Sequence, residues 1–229
     1  MKWSVLALLL LAGCEQEQVE PTVASPAVPS EPVQLAAPVV PKPPVSTAPS
    51  RVPAAALKYR ADLTREAQLV FGLDAPIDFL AGQIQQESNW DAGITAWDNG
   101  RGLAQFMDPT AKWVSERYQE LGTPQPYNPL WAIRAMVRLD DHNIRHLIAA
   151  DTPCDAWGAA LKGYNAGLGY VLRAQRKSEQ PGAWFDATEH IKTGQSDKNF
   201  EYSRLYPRWI MFKHAPRFAG WGRGIRCQA

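Results

Sequence analysis

Three polar-then-proline signals restrict the fold of this chain more than any other feature: Asp74-Ala75-Pro76, Asp108-Pro109 and Asn128-Pro129. Each places proline in the first turn of a helix, where a missing N–H forfeits no intrahelical bond. Gly72 and Gly122 fall where the intervening helices must stop. The pattern predicts helices over 57–71, from 76, from 108 and over 129–150. Shorter ones are expected near 154–164, 168–177, 183–192 and 206–214. Leu130, Ile133, Val137, Ile144, Leu147 and Ile148 form the buried stripe of the longest. No stretch sustains the period-two alternation of a half-buried strand, and no internal repeat is present. The expectation is a mainly α chain with a single helical domain over 55–229, an ordinary domain size.

Before residue 55 the composition is of another kind. From 15 to 54 Pro, Ala, Val, Ser and Glu dominate, prolines recur every few positions and no aromatic residue occurs. Such a segment buries too little apolar surface to offset its ordering entropy. A disordered, partly polyproline-II tether is expected, reaching on the order of 100 Å at ~3 Å per residue. The start, MKWSVLALLLLAGC, has a positive Lys2, an apolar run far short of the ~20 residues of a membrane span, and small residues before Cys14. This LAGC ending resembles the lipobox of bacterial lipoproteins. The resemblance implies a signal peptide over 1–13, lipidation of Cys14, and a linker over 14–54. Glu15 after the cysteine implies the outer membrane, with the domain facing the periplasm. Several acyl chains on one cysteine make a stable anchor. An ordinary signal peptide with an accidental cysteine is the alternative.

Three cysteines are present, so with Cys14 lipidated only Cys154 and Cys227 remain to pair. In an oxidising compartment a disulfide between them is expected, tying the C-terminus to the domain; two free thiols are the alternative. Lys and Arg number 24 against 23 Asp and Glu, a balance that argues against a nucleic-acid partner. His142 and His146 have metal-ligand spacing, but the segment DDHNIRH lacks the glutamate of an H-E-x-x-H site and offers no third ligand. It is read as a polar helix face. No metal and no cofactor are expected, and no phosphate loop or dinucleotide fingerprint is found.

The chemistry concentrates between 77 and 113. On the helix after Pro76, Ile77, Leu80, Ala81, Ile84 and Ser88 share one face, and Glu87 lies on it. A carboxylate on an apolar stripe is costly unless paired or neutral, and burial raises its pKa towards that of a working general acid. Alone, such a residue reads more readily as a structural glutamate bonded to a helix N-terminus. The glycine-flanked GLAQFMDPTA then brings bare backbone and the Gln105 amide close by, and KGYNAGLGYV sets Tyr164 and Asn165 in a glycine-rich turn.

In this order, Glu87-Ser88, Gly102-Leu103-Ala104-Gln105 with Pro109-Thr110-Ala111, Gly163-Tyr164-Asn165-Ala166-Gly167 and a late Tyr206 resemble the soluble-lytic-transglycosylase domain. These are the goose-type-lysozyme-like glycosidases of family 23. The likeness covers about 75–210. Ala104 and Gly163 stand where that family usually has Met and Ala, and Tyr202 is the alternative to Tyr206. The resemblance implies a lysozyme-like fold and a monomer acting on peptidoglycan glycan strands. Glu87 is implied as the catalytic acid, then base, at the bond between N-acetylmuramic acid and N-acetylglucosamine, leaving a 1,6-anhydro end. Ser88, Gln105, Tyr164, Asn165 and Tyr206 are implied as substrate-binding or orienting residues. Two readings stay open beside it: a lysozyme-type hydrolase using Asp91 or Asp98 to position water, and an inactive peptidoglycan-binding module. Asp108 is read as a helix N-cap, Asp98-Asn99-Gly100 as a turn, and Trp90 and Trp97 as core residues or sugar platforms.

Overall fold

The computed structural model describes residues 51–228; the expected signal peptide, Cys14 and nearly all of the expected linker lie outside them. Eight α-helices lie among the described residues: α1 Ala54–Leu57, α2 Arg60–Phe71, α3 Ile77–Ser88, α4 Asp108–Arg117, α5 Pro129–Arg145, α6 Pro153–Ala166, α7 Leu168–Lys177 and α8 Asp197–Arg208. A π-helical turn, Trp209–His214, and a 3-10 stretch, Ala215–Trp221, complete the C-terminal side. Two isolated bridges, Thr95 with Arg101 and Arg101 with Phe106, are the extended pairing among the described residues.

The helix starts follow the proline signals. Asn128 caps α5 by accepting from the N–H groups of Leu130 and Trp131, and Thr152 caps α6 by accepting from Asp155. Asp108 is different from expectation. Met107 occupies the cap position of α4 with no side-chain bond, because the Asp108 carboxylate is taken by the Arg101 guanidinium. The helix expected over 57–71 is broken at Lys58 and Tyr59 into α1 and α2. Around 183–192 only a 3-10 turn, Thr188–His190, forms. The helix expected from 206 begins nine residues earlier, as α8, which periodicity missed. Its sequence DKNFEYSRLYPR is polar and carries Pro207, yet Ser196 caps it and Tyr206 anchors it in the core. Pro207 has no N–H for the ladder, and immediately after it the chain winds wider into the π turn.

α3 is the axis of the domain. The expectation of one buried face understates it, since every residue from Ile77 to Gln85 is buried. The π turn and the 3-10 stretch cover one side of α3, and α2 packs beside them. Gly82 permits this approach: a Cβ there would lie 2.9 Å from the Ile210 carbonyl oxygen and 3.0 Å from the Ala215 nitrogen. α5 packs on α2 and α6, and α6 on α7 and α8. A disulfide joins Cys154, at the start of α6, to Cys227. No helix among the described residues is long and apolar enough to cross a membrane.

Candidate active site

Glu87 projects from the last turn of α3, where Asn89 ends the helix in a left-handed conformation at φ 51°. Its carboxylate accepts a hydrogen bond from the hydroxyl of Tyr206, which reaches it from the last turn of α8, 119 residues away. Glu87 is half-buried and Tyr206 fully buried. Desolvation raises the Glu87 pKa from 4.5 to about 8; the Tyr206 bond pulls it down, and the charge of Asp98 pushes it further up. Tyr206 is in turn held well above the ordinary tyrosine value, first by burial and then by the Glu87 charge. The phenol therefore donates its proton to the bond and does not give it up.

The loop after α3 forms the second wall. Gly102 adopts φ +68°, and a Cβ there would fall 2.0 Å from the Pro126 carbonyl oxygen. Ser88 Oγ donates to the Leu103 carbonyl at 2.8 Å, and Tyr164 donates to the Ala104 carbonyl at 2.7 Å. Two side chains from separate helices thus tie down the GLAQ backbone. Gln105 sits at φ 50° and donates its amide to the Gly102 carbonyl at 2.8 Å. Asn165 Oδ1 is buried with no partner among the described residues, an acceptor with an unmet hydrogen bond. The structure thus gathers Glu87, Ser88, Gln105, Tyr164 and Tyr206 through direct bonds or a shared loop. Asn165 follows Tyr164 on the last turn of α6.

Tyr202 stands one turn before Tyr206 on α8. It feels the Glu87 charge, bonds to Gln86 and packs edge-on to Trp209 at 5.1 Å. Burial, with that charge, pushes its pKa up to about 12. Of the neighbouring acids, Asp91 is exposed and accepts from the Gly93 N–H at 2.9 Å, an ordinary turn bond. Asp98 accepts from the Gly100 N–H at 3.1 Å through Oδ1, while its Oδ2 is buried without a partner. Trp90 is core, 2 % exposed and stacked on Tyr59, whereas Trp97 is 62 % exposed. A surface cavity of about 640 Å³ between α1, α2 and Trp221 contains none of these residues.

Sequence reading missed two buried polar residues beneath Glu87: Gln83, one turn earlier on α3, and Asp140 on α5, both without exposure. A signal for Asp140 did exist. It stands three residues after Val137 and seven after Ile133, on the buried stripe of α5, and was obscured by the polar run Asp140-Asp141-His142.

The family model for the transglycosylase SLT domain matches residues 66–186. The chain belongs to this family. The match takes in Glu87, the GLAQ loop and Tyr164-Asn165, which lie on the last turn of α6 and not in the connection between helices that the sequence suggested, and leaves Tyr206 beyond its end. Three relatives, each named membrane-bound lytic murein transglycosylase F, align over about half of the chain. The one from Aeromonas salmonicida is 30% identical over 116 residues, 48% of this chain and 22% of the relative. The one from Aeromonas hydrophila subsp. hydrophila is 26% identical over 123 residues, 52% and 23%. The one from Aliivibrio fischeri is 25% identical over 130 residues, 55% and 25%. The aligned part thus spans about a quarter of the length of these relatives.

Proposed function

We propose that this chain is a peptidoglycan lytic transglycosylase that cleaves the bond between N-acetylmuramic acid and N-acetylglucosamine. The observation that carries the reading is the Glu87 carboxyl, lifted to about 8 by desolvation and bonded by Tyr206, within a chain of the SLT family. An acid with that proton affinity is largely protonated at neutral pH and can still lose its proton in turnover.

Glu87 gives its proton to the glycosidic oxygen as the bond from that oxygen to C1 of the muramyl ring breaks. Tyr206 then stabilises the new carboxylate. The muramyl C6 hydroxyl attacks C1, its proton passes to Glu87, and a 1,6-anhydro end is left with the acid restored. Asn165 Oδ1 accepts from an acetamido N–H, and Gln105 holds a sugar hydroxyl through its remaining amide capacity. Ser88 and Tyr164 act on the substrate through the backbone of the GLAQ loop. Residues 1–13 are the signal peptide, 14–54 the linker with lipidated Cys14, and 55–229 the enzyme. Lipidation would hold a monomer at the outer membrane, facing the periplasmic glycan; the membrane-bound naming of the relatives fits that placement.

A second reading rests on Asp98, which has one buried, unpartnered oxygen and whose charge raises the Glu87 pKa. Ordinary glycosidases need a second carboxylate to direct water or attack the sugar, and Asp98 is the acid placed for it. The test is to digest purified peptidoglycan with the full chain, Glu87→Gln and Asp98→Asn, and to read the sugar ends by mass spectrometry. Anhydro-muramyl ends that vanish in Glu87→Gln and persist in Asp98→Asn support the transglycosylase. Reducing muramyl ends, lost in both variants, would establish a hydrolase. Binding without cleavage by the parent chain would mean a binding module.

A further inference from the structure

Beneath Glu87 the hydrogen-bond count of two side chains does not close. Gln83 and Asp140 have no solvent exposure. One bond joins them, from Gln83 Nε2 to Asp140 Oδ1 at 3.4 Å, and it ties α3 to α5. The other atom of each group, Gln83 Oε1 and Asp140 Oδ2, is buried without a partner. If Asp140 were ionised, both leftover atoms would be acceptors, and no donor reaches either among the described residues. Interchanging the amide O and N of Gln83 does not remove the shortage, because the pair would still hold three acceptor oxygens and a single amide donor group. A proton on the carboxyl supplies the missing donor and, turned towards Gln83 Oε1, would make a second bond.

We propose that Asp140 is held as the neutral acid and closes a two-bond ring with the Gln83 amide, pinning the floor of the site while leaving Glu87 as its titrating carboxyl. The ring is a positioning device: it joins the helix that carries Glu87 to the helix that packs against α6, which carries Tyr164. Its reading as a support for catalysis rests on the function proposed above, while the protonation state does not.

The surroundings agree. Glu87 faces Asp140 from α3, Tyr164 from α6 and Tyr206 from α8, and Asp141 is its neighbour on α5. No ion pair involves Asp140 among the described residues. Burial, joined by the Glu87 and Asp141 charges, lifts its pKa well above the ordinary aspartate value against the opposing pull of Gln83. A charge on Asp140 would raise the proton affinity of Glu87 further and hinder its step as an acid.

The decisive measurement is the Asp140 carboxyl carbon signal in the full chain, assigned through bonds to its own backbone and followed by NMR across neutral pH. A signal at the position of a protonated acid that does not move through neutrality is expected. A signal at the position of an ionised carboxylate at neutral pH would overturn the proposal, whether or not the protein cleaves peptidoglycan. Asp140→Asn supplies an independent readout, since its amide can form the same ring without a titrating proton. The alkaline limb of the rate against pH should stay where the parent has it. A limb displaced to lower pH would mean that the parent carried a charge at Asp140, and the proposal would fall.

Discussion

Replacing Glu87 with Gln should abolish cleavage and, in the same protein, make the fold more stable by an amount that depends on pH. In the unfolded chain the side chain titrates near 4.5, and in the fold near 8. Between those values the folded protein keeps a proton that the unfolded chain has lost. Stability contributed by the raised pKa is therefore complete below 4.5 and falls as pH rises, until both states are ionised above about 8. Glutamine does not titrate and can still accept the Tyr206 bond. The advantage of the variant should thus be near zero at the acid end and largest at the alkaline end. At about 1.36 kcal/mol per pH unit, a displacement from 4.5 to about 8 corresponds to at most about 5 kcal/mol. Glu87 retains partial solvent access, and screening brings the expected gain to about 2–3 kcal/mol. For a domain of this size that is a rise of roughly 5–10 °C in Tm at alkaline pH. Thermal melts of parent and variant, paired at each pH, isolate the effect, because other titrating groups cancel in the difference. A difference that is flat with pH, or that favours the parent at the alkaline end, would refute the desolvated-acid account of Glu87.

Tyr206→Phe removes the hydroxyl that stabilises the Glu87 carboxylate. We expect kcat/KM to fall roughly 10- to 100-fold, the scale of one hydrogen bond to a charged group, with the alkaline limb moved to higher pH; an unmoved limb would count against the pairing. Gly102→Ala combines positive φ with a Cβ 2.0 Å from the Pro126 oxygen. It should cost about 2–4 kcal/mol and reduce activity by shifting the GLAQ loop, read from denaturant unfolding and glycan digestion. Replacing Cys154 and Cys227 by Ser opens a link across 73 residues of chain. A loss of about 2–5 kcal/mol is expected in chemical denaturation, and no loss would mean that the reduced chain is equally constrained.

Much of the domain was legible without coordinates, for a local reason. Helix starts depend on residues adjacent in the chain, so Asp108-Pro109 and Asn128-Pro129 announced α4 and α5. The ordered Glu87-Ser88, GLAQ and GYNAG segments carry the family, and the same stretch lies within the matched residues 66–186. Periodicity failed where burial was not one-sided or where tertiary contact overrode composition. α3 is buried along most of its length, with the turns after α8 on one side and α2 beside them, and α8 is a polar helix held by Ser196 and Tyr206.

What tertiary structure alone decided is which distant groups face one another. The late motif favoured Tyr206 and left Tyr202 as the alternative; the register of α8, just before the chain winds into the π turn, makes Tyr206 the donor to Glu87. Asp140 reads in sequence as the start of a polar face, and only the crossing of α3 and α5 buries it against Gln83. The residue types and their spacing are one-dimensional facts, which the chain states by itself. Proton affinities are three-dimensional, because desolvation and the field of neighbouring charges exist only once the helices have packed.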